Sequence, residues 1–215
     1  STLLDQLAYF SILRGATRKE AIKSAKFWIN RFGLSEYEKK HLEVLSKGNQ
    51  QKSQIAQAFL NDPDILILDE PFSGLDPVNA QVFKDIIVEF AKNDKLVIFS
   101  SHQMSYVEEL CDDVTLIDKG HILVNGDLKA LKRELGENKA VIKADNMSNE
   151  HLLELLAELS PELTQQGVVV TSPTGKSHQE LLVHLQQTGI EIAKFDYYEP
   201  SLQDIFVRLV SDNHA

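Results

Sequence analysis

Apolar positions recur at three- and four-residue spacing through the first fifth of the chain, then give way to short unbroken runs. Leu3, Leu4, Leu7 and Phe10 lie near helical spacing and predict a helix over residues 2–13. Thr17 and Glu20 have the form of a capping box, opening a second helix with Ala21, Ala25, Trp28 and Ile29 on one side; Gly33 ends it. Ser35 and Glu38 repeat the box for a short third helix. A further helix is predicted from Gly48 to Leu60, stopped by Asn61, Asp62 and Pro63.

Beyond that point the period changes. Ile65–Leu68 and Leu96–Phe99 are continuous apolar runs, the mark of parallel strands covered on both faces. Helices are predicted between and after them, at Val78–Ala91 and Ser105–Cys111. Val114–Ile117 and Ile122–Val124 read as strands around a turn at Lys119-Gly120. Alternation of buried strands with helices predicts an α/β layer architecture. A boundary is placed near Gly136-Glu137-Asn138. Past it, strands at Ala140–Ala144, Val168–Thr171 and Ile190–Tyr197 alternate with helices at Glu150–Leu159 and Gln179–Gln187. Pro200 leads into a last helix striped by Leu202, Ile205, Phe206 and Leu209. This tail is a small α+β unit.

Composition narrows the class. The 215 residues are 43% hydrophobic and 25% charged, which is ordinary for a globular chain. No apolar run reaches the roughly 20 residues that span a bilayer, and no basic-then-apolar leader opens the chain, so a cytoplasmic location is expected. Cys111 has no cysteine to pair with and no metal-ligand spacing around it; it is expected to pack as a small hydrophobe at a helix end. A net charge of −10 argues against a nucleic-acid partner. Residues 14–52 nevertheless hold ten Lys/Arg against four Glu, while residues 137–215 hold five against twelve acids. A solvated helix face accounts for such a basic run; nearness to a phosphate or an acidic partner is the sharper reading.

Three groups of residues carry candidate chemistry. Asp69 and Glu70 end a buried strand, where open α/β sheets place ligands, and adjacent strand residues point to opposite sides. One carboxylate can then hold Mg2+ through water while the other reaches a water that attacks a phosphate. Ser46 offers a hydroxyl and Gly48 lets backbone approach an anion, ahead of a helix whose positive end favours one. Ser100-Ser101-His102 follows the second buried strand.

Taken together, Leu45–Gln51, Ile65–Pro71, Ser73-Gly74-Leu75-Asp76-Pro77 and Ser101-His102 resemble the signature, Walker B, D-loop and H-loop of the ATP-binding-cassette family, in order and at matching intervals. The resemblance implies an α/β P-loop NTPase fold: a helical subdomain at 1–44, the C-terminal part of the nucleotide-binding core at 45–136, and an α+β accessory domain at 137–215. The tail, with Glu199–Phe206, looks like the accessory domain of ABC-2-type exporter ATPases. By the same resemblance Glu70 is the general base, Asp69 the Mg2+ carboxylate and His102 the γ-phosphate sensor. Ser46, Lys47, Gly48 and Asn49 would close over ATP held by a second ATP-binding subunit, with Asp76 an inter-subunit contact. A separate membrane permease would dock at the helical region and hold the protein at the inner face of the membrane.

Two departures matter. Lys47 stands in place of the family's glycine and Asn49 in place of a glutamine; Lys47 adds positive charge, though a position requiring positive φ would tolerate it poorly. No glycine-rich phosphate cradle precedes the signature, and the chain starts at Ser1 without Met, which fits a truncated form that does not hydrolyse ATP alone. Thr171–Ser177 ends like such a cradle, but Val170 replaces the required glycine and the order is wrong; Ser177 and Glu180 read instead as a capping box. Two rival readings are a cassette protein working on ribosomes or DNA and a non-enzymatic dimerisation module. The charged linker, the coiled-coil insertion and the basic surface that the first requires are not visible.

Overall fold

Side-chain caps decide where the first helices begin. The computed structural model describes residues 1–173 and 177–214. Helix α1 (Leu3–Leu13) starts at Thr2, and α2 (Arg18–Arg31) at Thr17, each with a complete capping box closed by Asp5 and Glu20. Gly33 follows α2 at φ +63°, the left-handed position its sequence predicts. The expected box at Ser35 does not form. Ser35–Tyr37 is one 3₁₀ turn without a side-chain cap, because Leu34 rather than Ser35 occupies the cap position. Helix α3 (Lys47–Ala58) begins at Ser46, and Asn61 and Asp62 follow its end at φ +66° and +50°.

Strands β1 (Ile65–Asp69) and β2 (Leu96–Ser100) pair in parallel, with Ile65 opposite Leu96 and Asp69 opposite Ser100. Helix α4 (Pro77–Ala91) connects them and α5 (Met104–Leu110) follows. The expectation of burial on both faces is corrected here. Leu66 is buried against the core, yet Ile65 and Ile67 are 57% and 73% exposed, and Leu96 and Ile98 across the ladder are exposed as well. Side chains alternate along a strand, so the described helices cover one face of this two-stranded sheet only. The core beneath that face is aromatic: Phe59 meets Trp28 and Phe90 at ring separations of 4.7 and 5.1 Å, and Phe72 stacks on Tyr106 at 4.1 Å.

The chain divides into two compact units, Ser1–Leu110 and Cys111–Ala215. The helical block 1–44 thus shares a core with β1 and β2. In the second unit, β3 (Asp113–Asp118) and β4 (His121–Asp127) form an antiparallel hairpin, followed by α6 (Leu128–Leu135), which sequence reading missed. Gly136 is required there: a Cβ would sit 2.1 Å from the Tyr198 carbonyl oxygen.

The remainder runs β5 (Lys139–Ala144), α7 (Asn149–Leu155), β6 (Glu162–Thr164), β7 (Gly167–Thr171), α8 (His178–Gln187), β8 (Ile192–Tyr197) and α9 (Leu202–His214). Its sheet order, β6-β7-β5-β8 with antiparallel pairs, is the split βαββαβ arrangement. Helices α7 and α8 bury Leu152, Leu181 and Leu185 with Ile142, Val168 and Val170 of the sheet. The short strand β6 was also missed, since three residues give no periodicity to read. The capping box Ser177–Glu180 forms as expected and opens α8; Thr174-Gly175-Lys176, the rest of the rejected cradle match, lie outside the described residues.

Candidate functional site

The carboxyl ends of β1 and β2 bring four polar residues together. Because Asp69 and Ser100 are paired in the parallel register, the Ser100 hydroxyl reaches both acids: it donates to Asp69 Oδ1 and accepts the Glu70 backbone N–H at 3.0 Å. Glu70 takes φ +44°, a left-handed conformation that is uncommon away from glycine. That turn swings its carboxylate toward the segment after β2. Glu70 Oε1 accepts the His102 backbone N–H at 2.9 Å, and Oε2 lies 2.8 Å from His102 Nδ1. This second contact has ion-pair distance without aligned hydrogen-bond geometry, and Oε2 is itself sealed from solvent. His102 is 71% exposed, so its ring stands at the rim with a second nitrogen available. Ser100 was the residue sequence reasoning missed; its signal was the equal length of two parallel strands, which places their last residues opposite each other.

The chemistry of this donor set suits a hard divalent cation shared with phosphate oxygens. No group of three or more His, Cys, Asp or Glu among the described residues could hold a metal by itself. A single carboxylate beside a hydroxyl is what Mg2+ requires when waters and phosphates complete its shell. Asp69 with Ser100 fits that role.

The signature turn has a different character. Ser46 caps α3 in extended conformation, its hydroxyl accepting the Asn49 N–H at 3.3 Å. Lys47 is the first residue of the helix and is absent from the residues with positive φ, so its replacement of glycine carries no backbone strain. Gly48 sits close against the neighbouring loop: a Cβ there would lie 3.3 Å from the Gly74 carbonyl oxygen, a tight contact. The first turn of α3 holds no acid and one lysine, opposite to what the helix dipole favours in an isolated helix.

Asp76 caps α4. Its Oδ1 accepts the N–H groups of Val78 and Asn79, both at 3.0 Å, and its Oδ2 accepts Asn79 Nδ2 at 2.5 Å. Hydrogen bonds from Asn79, backbone first and side chain second, hold its pKa below the ordinary range. Both oxygens are engaged by its own helix. Cys111 follows α5; burial pushes its thiol up to about 11, as for an inert packing residue.

Comparison with known proteins identifies the family of the chain. Residues 2–73 match the family model described as ABC transporter, and residues 126–210 match that of the ATP-binding protein DrrA1-3-like C-terminal domain. The uncharacterized ABC transporter ATP-binding protein YhaQ of Bacillus subtilis is 41% identical over 211 residues, covering 96% of this chain and 68% of the relative. An uncharacterized ABC transporter ATP-binding protein of Alkalihalophilus pseudofirmus is 37% identical over 98% of this chain and 78% of its own length. A solved ATP binding subunit of an ABC transporter superposes with a TM-score of 0.59 at 25% identity, over 73% of this chain; the chain spans 62% of that structure's length.

Proposed function

Since the chain belongs to the ATP-binding proteins of ABC transporters, we propose that it is part of the ATP-hydrolysing subunit of an ABC-2-type exporter. The observation that carries this reading is the Asp69–Ser100–Glu70–His102 network at the ends of β1 and β2. Glu70 is the general base: its left-handed backbone and the His102 contacts hold the carboxylate where it can take a proton from an attacking water. His102 keeps that carboxylate in place through its backbone N–H, with Nδ1 close to Oε2, and offers its other ring nitrogen to the γ-phosphate. Asp69 would hold Mg2+, which supplies neutralisation of charge along the phosphates. Ser46, Lys47, Gly48 and Asn49 close over the γ-phosphate bound by a second subunit, and Asp76 lies at the same junction.

The exporter assignment is supported by the match of residues 126–210 to the DrrA-like C-terminal domain. A permease subunit docked on the helical region would place the protein at the inner membrane face; no helix among the described residues is long and apolar enough to cross a membrane itself. Without a glycine-rich phosphate cradle in its sequence, this chain alone is inactive.

Steady-state ATPase assays on the full-length subunit test the reading. Glu70→Gln should lower turnover by roughly 10²–10⁴-fold, the scale of general-base contributions. It should also leave an ATP-dependent dimer that persists in size-exclusion chromatography with light scattering. An unchanged rate in this variant removes the proposal, and a Glu70-dependent rate from the 215-residue chain alone overturns its inactivity on its own.

A further inference from the structure

The signature helix and the loop after β1 touch at three points within one chain. Gly48 packs on the Gly74 carbonyl, Gln51 Nε2 donates to the Pro71 carbonyl at 3.4 Å, and Lys52 Nζ donates to Asn79 Oδ1 at 3.3 Å. The third contact is unlike the others because its donor is a cation with only 9% of its surface exposed. Asn79 can be read in one orientation only. An ammonium only donates and a carboxylate only accepts, so the amide turns Oδ1 to Lys52 and Nδ2 to Asp76. A continuous path, Lys52–Asn79–Asp76, therefore runs from the second turn of α3 to the cap of α4.

We infer that Lys52 is a positioning residue which ties the signature turn to the 71–79 loop of its own subunit, so that the two move as one body when nucleotide is enclosed. Packing does not call for an ammonium here. Burial lowers the pKa of Lys52, while Asp76 and Glu36 are the carboxylates that pull it back up. A methionine would fill the same space without that desolvation cost, leaving Asn79 Oδ1, on a half-buried residue, to bond water instead. What methionine cannot do is orient Asn79, and through it the cap that fixes Asp76 and the first amides of α4. The inference rests on the ATPase reading above for its kinetic consequence but not for its structural one.

The test uses the full-length subunit with Lys52→Met, Lys52→Arg, Asn79→Ala and the Lys52→Met/Asn79→Ala pair, and it has two readouts. In steady-state kinetics, Lys52→Met should lower kcat roughly tenfold with KM for ATP and Tm close to the parent, since misplacement of a closing element acts on the reactive geometry. Lys52→Arg should restore most of the rate, and the double variant should be no slower than the slower single one. In hydrogen exchange, the Val78 and Asn79 amides should lose protection in Lys52→Met. Additive kinetic effects, an unchanged kcat, or a rate loss that follows a lowered Tm without rescue by arginine would each overturn the inference. If the parent subunit has no ATPase activity, the functional reading falls, and unchanged protection at Val78 and Asn79 then separately decides against Lys52.

Discussion

Helices α3 and α8 both start on a serine in nearly the same backbone conformation, and only α8 adds the reciprocal acid of a capping box. At α8, Ser177 sits at φ −75°, ψ 160°, and Glu180 folds back so that its carboxylate accepts the serine N–H at 2.7 Å. At α3, Ser46 sits at φ −60°, ψ 159°, but Asn49 stands where the acid would be and Lys47 adds a positive charge. Helices α1 and α2 follow the α8 pattern, each with a complete box. An acid in the first turn satisfies orphan amides and complements the dipole, contributing about 0.3–1 kcal/mol. Helix α3 forgoes that contribution and keeps its positive end uncovered. Both serine hydroxyls accept the amide three residues on, and the two starts differ in whether an acid answers the serine N–H.

The largest expected effect comes from closing the open helix. Asn49→Glu in the full-length subunit should complete a box with Ser46 and put a carboxylate where the γ-phosphate is to be received. Turnover should fall by roughly 10²-fold, the scale on which loss of a preorganised donor acts. Thermal stability should stay level or rise slightly, so a variant that is both slower and less stable would undo the contrast. The reverse change is smaller. Glu180→Gln at α8 should cost about 0.3–1 kcal/mol in denaturant unfolding, with ATPase rate unchanged.

Acid sharpens the same comparison with the smallest effect. The Thr17 side-chain hydrogen bond, then its backbone N–H, holds the pKa of Glu20 below the ordinary value in the folded state. A depressed folded pKa means the stabilisation is present above the unfolded value and is lost as pH falls through the folded one. Lowering pH from about 5 to about 3 should therefore loosen the first turn of α2, seen as faster amide exchange relative to the intrinsic rate. The first turn of α3, with no acid to protonate, should not respond.

Much of this arrangement is legible in the chain itself. The boxes at Thr17 and Ser177 and the stop at Asn61-Asp62-Pro63 act within four residues, so spacing reveals them, whereas the cap formed by Asp76 was not read from the sequence. The box at Ser35 failed for the same local reason, a cap displaced by one residue to Leu34. Asp69 and Glu70 could be named because they end an apolar run and His102 because it resembles the H-loop histidine, and the structure brings Glu70 and His102 into contact. Asp76 is engaged by its own helix.

The sequence by itself determined most of the helices and strands, α6 and β6 apart, the order of the motifs and the sign of charge around the signature, since these depend on residues a few positions apart. Tertiary structure alone decided the rest. Ser100 reaches Asp69 across a parallel register, Gly48 meets Gly74, Lys52 is buried beside Asn79, and the described helices pack on one face of β1 and β2. Each of these joins residues roughly 26 to 31 positions apart or depends on what packs over a sheet. Such pairings follow from strand register and helix packing, which no local periodicity encodes.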